Sequence, residues 1–397
     1  MSLQKLVPFW SDNFCIDDDK IWAVDTERNL LYEIDYETGE YELVKEIPDE
    51  KLSKFRLNPR CLKCENEIYC MPDESNNIWV YNIDSMHFSK MDLVNPNKVR
   101  HIIQSFVRHG DYVYALSKGL SQVIEVNIQD KKIENYYKLA DDDIFTDCIV
   151  GNNSIIGLSI NSNKLYEFNI ETKKIFYYSI PNVNMIIKTI CYDGENFWLS
   201  GNRKKICIWN RNKNSIREIE EFPQGFGLLN FSIDNKKLLD MDFVISDDMI
   251  FGFSAVTVQY VWFIPWRANK ILYVNRFTYE INSLEIDEEE ETIYSITRKV
   301  KGKYQLCYVK NNRYIGLYSF KNKCIFEIDA EVLSIKRKSF TISEEAAQDY
   351  MHSYLGKDIY FEKGDPIEQE IIRYSLHMRN EQKKSENIGI RIYEELK

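Results

Sequence analysis

Short apolar runs recur along the chain at a near-constant interval, each bounded by Asp, Asn, Gly, Ser or Thr. They read KIWAV (20–24), EIYCM (67–71), YVYAL (112–116), SIIGL (154–158), NFWLS (196–200), YVWFI (260–264) and YIGLY (314–318). β-Branched and aromatic residues dominate them, and no helical period joins one to the next, so each predicts a short half-buried strand. A second mark follows each run, an apolar residue and then an acid or amide, at Asp35, Asp84, Asn127, Asn169, Asn210, Asn275 and Asp329. Counted from the second residue of each run, the two marks lie 14, 16, 14, 14, 13, 14 and 14 residues apart. From unit to unit the second mark advances by 49, 43, 42, 41, 65 and 54 residues. Seven copies of one unit of about 42 residues make a repeat architecture.

Each unit divides into four strands. In the first, NFCI leads through a turn into KIWAVD, then LLYEID, the turn YETG and EYELVKEI. Four short antiparallel strands per unit of this length predict the blade of a β-propeller, a ring in which strand edges are short and mutually protected. The expected fold is all-β: a seven-bladed propeller over residues 1–341, with a helical extension over 342–397. In the extension, Ser343 and Asp365 are set to cap helices over SEEAAQDYMHSYLG and DPIEQEIIRYSLHMRN.

The IDYETGE turn and its echoes are similar to the Asp-x-x-Thr-Gly turns of quinoprotein-like and YVTN-type repeats. The pattern over residues ~9–341 resembles the broad superfamily of seven-bladed propellers, kelch-like proteins included. The Gly-His and Trp-Asp marks of WD repeats and the Gly-Gly pair of kelch repeats are absent. The resemblance therefore implies an architecture and carries no family's catalytic residues with it.

The recurring Asp or Asn has a structural reading: an Asx side chain at a strand end accepts from main-chain amides two or three residues on and closes the turn. The nine cysteines are read as small buried hydrophobes. Cys15 and Cys191 fall on one repeat position, and Cys61 and Cys148 on the position before it. CLKCENEIYC (61–70) lacks a fourth ligand at zinc spacing, and the five histidines are scattered. No metal or cofactor is expected.

Two units are oversized, with about twenty extra residues between Asn210 and Asn275 and about ten between Asn275 and Asp329. The second insertion holds the acidic run IDEEEET (286–292). A net charge of −11 speaks against nucleic acid and anionic membrane surfaces as partners. No apolar run reaches membrane-spanning length, and the opening residues lack a charged-then-apolar leader. The expectation is a cytoplasmic location, and the abundance of Asn, Lys, Ile and Tyr suits an AT-rich bacterial genome.

By fold-level analogy, ligands meet a propeller where the loops joining second to third strands, and blade to blade, surround the channel. Mapped through the repeat, that mouth holds Arg60, Asp147, Arg203, Lys204, Trp266, Arg267 and Lys321, with cations concentrated on the later blades. Arg suits carboxylate or phosphate, and Arg and Trp are the commonest anchors of binding surfaces. No nucleophile-and-base set or pair of matched carboxylates gathers there. The expected function is non-enzymatic recognition of a protein partner, or of an anionic or sugar ligand, through this mouth and the C-terminal helices. The alternative is a hydrolase or lyase acting on a carbohydrate or peptide, its site in the blade-five-to-six connection.

Overall fold

The computed structural model describes residues 11–346, with longer breaks at 49–56, 95–100, 229–248 and 287–294. Shorter breaks fall at 12, 18, 26–28, 142, 152, 160–161, 297–298, 301–302, 320–321, 323 and 344. Within it the chain forms seven four-stranded antiparallel sheets, each built from consecutive strands. The blades run Phe14–Glu46, Arg60–Asp92, Ile103–Lys138, Phe145–Ser179, Ile187–Ile219, Phe251–Leu284 and Gln305–Ser339. A two-stranded hairpin, Ser295–Ile296 with Lys299–Val300, lies in the connection from blade six to blade seven.

The core is divided among seven apolar clusters, and each spans one blade-to-blade interface. Trp22, Val24 and Leu31 of blade one meet Cys61, Ile68 and Trp79 of blade two. The seventh cluster joins blade one (Phe14, Ala23, Tyr32) to blade seven (Cys307, Tyr318, Ile325), which closes the ring. A strand buried on both faces needs apolar residues without alternation, which is why the second strands are buried almost end to end. Cys15 lies opposite Trp22 and Cys191 opposite Trp198, while Cys61 and Cys148 each sit one residue earlier, as the repeat predicts.

Among the described residues no strand is exchanged at the closure. Instead the chain leaving blade seven clasps blade one: Thr341 donates its amide to Gly39 (3.0 Å) and accepts from that of Tyr41 (2.8 Å). Phe340 stacks on Phe14 at 5.7 Å, and Ile342 is buried in the seam. Gly39 has φ +73°, and a Cβ there would lie 2.2 Å from the carbonyl oxygen of Ser339, so only glycine fits under the clasp. Beyond it, Ser343 Oγ accepts from the amide of Ala346 (3.0 Å), the expected helix cap. The rest of the expected helices, and nearly all of the acidic run, lie outside the described residues.

All seven turns between third and fourth strands are closed by the Asx device. Asp35, Asn82, Asn127, Asn169, Asn210, Asn275 and Asp329 each accept from an amide two or three residues on. Blade two corrects the sequence reading: the residue in register is Asn82, not Asp84. It restores the interval of 14 from Ile68, so the single value of 16 came from taking the second of two nearby polar residues.

Candidate functional site

The strands nearest the axis run side by side around the ring, and their leading residues face the mouth. There the side chains bond to the next blade. Asn13 Oδ1 accepts from the Cys61 amide (3.2 Å), and Arg60 Nη1 donates to the carbonyl of Ile103 (3.0 Å). Ser105 Oγ donates to the carbonyl of Cys148 (2.9 Å), and Asp147 Oδ2 accepts from the Ile190 amide (2.9 Å). Thr189 Oγ1 meets Ser254 Oγ at 3.2 Å. Five successive blades are thus linked to their neighbours by one repeat position whose residue type differs each time.

This settles how Arg60 and Asp147 are placed. Arg60 is buried on blade two and Asp147 half-buried on blade four, and both already hold main-chain partners. Burial pushes the Asp147 carboxyl upward, opposed by the nearby Lys118 ammonium and by the amides of Ile190 and Cys148. Burial likewise pushes the Lys118 amine downward, opposed by Cys148 and Asp147. Lys118 Nζ donates to the carbonyl of Thr146. These groups form a buried polar network that ties blades two to five together, where an unpaired charge would be costly.

The other mouth residues behave differently. Arg203 and Lys204 are exposed at the tip of the blade-five loop, and Lys204 lies over the rings of Phe222 (5.6 Å) and Phe226 (5.4 Å). Neither has a carboxylate partner among the described residues, whereas the adjacent Lys205 is paired with Glu218 (2.7 Å). Trp266 and Arg267 are half-buried on the blade-six loop. Trp266 packs on Gly252, where an added Cβ would come within 2.9 Å of its ring.

Ile250 joins the two loops. Its amide donates to Gly201 (3.4 Å), and its carbonyl accepts from the amides of Trp266 (3.0 Å) and Arg267 (3.1 Å). The long connection between the blades is rooted at the same place. Asn269 is bonded to Gly225 and Gly227, and Lys270 donates to the carbonyl of Gln224 (3.2 Å). Arg203, Lys204, Trp266 and Arg267 therefore belong to one surface. Lys321 lies outside the described residues. Among the described residues, no group of three His, Cys, Asp or Glu side chains is placed to hold a metal ion.

One set of polar residues escaped the sequence reading. Glu125, Glu167 and Glu327 stand two residues before the Asx mark, and each takes a side chain from the next blade's turn. Glu125 accepts from Lys173 (2.5 Å), as well as from Tyr114, Asn135 and Tyr137 of its own blade. Glu167 pairs with Arg211 (2.6 Å), and Glu327 bonds Tyr36 and Tyr308 (2.8 Å), with Lys338 at 3.2 Å. Burial alone would raise the Glu125 carboxyl, but its four donors outweigh burial and bring it down to about 2. The recurring Glu in YEID, IEVN, YEFN and FEID was the available signal.

No family model and no curated protein matches this chain. Solved structures do. Virginiamycin B lyase from Staphylococcus aureus aligns with TM-score 0.54 and 14% identity, over 78% of this chain and 91% of that one. A streptogramin B lyase aligns with TM-score 0.51 and 14% identity, over 78% and 90% of the two chains. The computationally designed protein Ika8 aligns with TM-score 0.52 and 10% identity, over 84% and 89%. A lyase and a designed protein share this shape, so the likeness speaks to fold alone. The repeat, the seven sheets and these neighbours together identify the chain as a divergent seven-bladed β-propeller.

Proposed function

We propose that this propeller is a recognition module that binds an anionic partner, an acidic protein segment or an acidic sugar, at its mouth on blades five and six. The observation that carries the reading is the pair Arg203 and Lys204: exposed, without carboxylate partners among the described residues, on a chain of net charge −11. A protein with acids in excess leaves few cations unsatisfied, and two adjacent ones beside Trp266 and Arg267 form a surface complementary to carboxylate or sulfate. The network around Asp147 supports the same reading, because its carboxylate and the Lys118 amine are occupied in joining blades. Residues 347–397, expected from the sequence to be helical, are proposed as a second contact surface, and a chain ending at Ala346 tests this while keeping the clasp at Thr341 and Ile342.

The test is a binding panel of acidic peptides and carboxylated or sulfated oligosaccharides, run on the full chain and on Arg203→Ala/Lys204→Ala. The reading requires at least one anionic class to bind, to weaken with salt, and to lose about tenfold or more in the variant. Binding that is indifferent to the variant overturns it. Turnover of a panel member without retained binding would favour the lyase or hydrolase reading.

A further inference from the structure

The residue after the Asx mark is apolar or aromatic in five blades: Tyr36, Ile83, Ile128, Ile170 and Ala330. Each packs into the interface with the preceding blade. In blades five and six the same position holds arginine, Arg211 and Arg276. These two departures border a depression of about 820 Å³ at the end of the ring opposite the mouth, between blades four, five and six. Its volume is that of a site for a small organic molecule.

Most polar groups of its wall have internal partners. Arg211 is paired with Glu167 and lies over Tyr178 (4.3 Å). Asp193 accepts from the amides of Glu195 and Asn196 and from Trp198 Nε1 (2.7 Å). Thr257 Oγ1 is held by Tyr260 and by Trp262 Nε1 (3.0 Å). Arg276 differs from Arg211 in having a main-chain acceptor in place of an acid. It donates to the main-chain carbonyl of Asp193 and lies 5.3 Å from the centre of the Phe277 ring, with no carboxylate partner among the described residues. Beside it stand three exposed apolar side chains, Phe277 (67%), Val258 (61%) and Val150 (39%).

We propose that this depression is a second binding site, separate from the mouth, for a small organic carboxylate with an aromatic or aliphatic body. The guanidinium, anchored at one end by the Asp193 carbonyl, receives the carboxylate, and Phe277, Val258 and Val150 cover the apolar body. A neutral apolar molecule would desolvate the Arg276 guanidinium without bringing an anion to meet it. A dianion would meet Glu167 and Asp193 at close quarters.

The experiment is ligand-observed NMR titration of the full chain with 3-phenylpropionate, its neutral amide 3-phenylpropanamide, and acetate. The expected result is binding of the acid at least about tenfold tighter than of the amide or of acetate. Arg276→Gln removes the preference for the acid. Phe277→Ala, at an exposed turn position the fold does not need, weakens acid and amide alike. Arg203→Ala/Lys204→Ala leaves the titration unchanged, so failure at the mouth is separable from failure here. No binding of the acid, equal binding of acid and amide, or loss of binding in the mouth variant overturns the proposal.

Discussion

At one end of the ring, seven turns are closed by one device, an Asx side chain reaching two or three residues ahead. At the other end the residues that lead into the channel differ from blade to blade, being Asn, Arg, Ser, Asp and Thr in blades one to five. The regular end repeats because its turns serve the same purpose in every blade. The irregular end still serves a shared purpose, since five of its leading residues bridge to the next blade. A donor in one blade can meet an acceptor in the next through several residue pairs, so the position is constant and the residue is free to vary. Variation at a repeat position is therefore weak evidence for a binding site until burial is known. Arg60 and Arg203 both mark the mouth in the sequence, yet the first is 6% exposed and bonded to Ile103 while the second is open to solvent.

The comparison can be broken most forcibly at Asp147. Replacing it with alanine leaves the Ile190 and Cys148 amides without their acceptor and the buried Lys118 without its neighbouring carboxylate, at an expected cost of about 3–5 kcal/mol. A denaturant midpoint lowered at constant slope checks this. At the regular end, Gly39→Ala sets a side chain at positive φ against the Ser339 carbonyl and should cost upward of about 2 kcal/mol. Thermal unfolding should show it, with the loss centred on the contact between blades seven and one.

Glu125→Gln comes next, at about 2 kcal/mol near neutral pH, because it weakens the charge-assisted bond from Lys173. Its pH dependence is distinctive. The folded carboxyl lies at about 2 against an ordinary value of 4.5, so its contribution is complete above 4.5 and is lost as pH falls from there toward 2. Stability of the Gln variant should fall less steeply across that range than that of the parent chain. The smallest expected effect on stability is that of Arg203→Ala/Lys204→Ala, within about 0.5 kcal/mol, since both side chains are exposed. Trp266→Ala is a poorer probe of function, because it removes packing from Gly252 as well as a surface contact.

How far the sequence could be read follows from the same contrast. Blade number, strand order and the Asx turns were legible because every blade repeats them, and cysteines such as Cys15 and Cys61 could be placed by register alone. Asp84 was taken for Asn82 because both are polar neighbours of one turn, and only strand pairing separates them. At the mouth, Arg203, Lys204, Trp266 and Arg267 were read as loop residues, and nothing within a single repeat shows that their two loops meet. The Ile250 bridge that joins them depends on a connection with no counterpart in other blades. The Glu125–Lys173 bond spans two blades, so neither partner explains the other within its own unit. Arg211 and Arg276 were visible as departures from an apolar repeat position, but their meaning emerged only with the space beneath them.

The central claim is that recognition occurs on the blade-five and blade-six loops of the mouth. Hydrogen exchange of the full chain, with and without the tightest acidic probe from the panel, tests it most directly. The account predicts slowed exchange at 201–205 and 265–270, with no change at the turns 210–214 and 275–280. Protection confined to those turns, or absent from the two loops while the probe is bound, would contradict it.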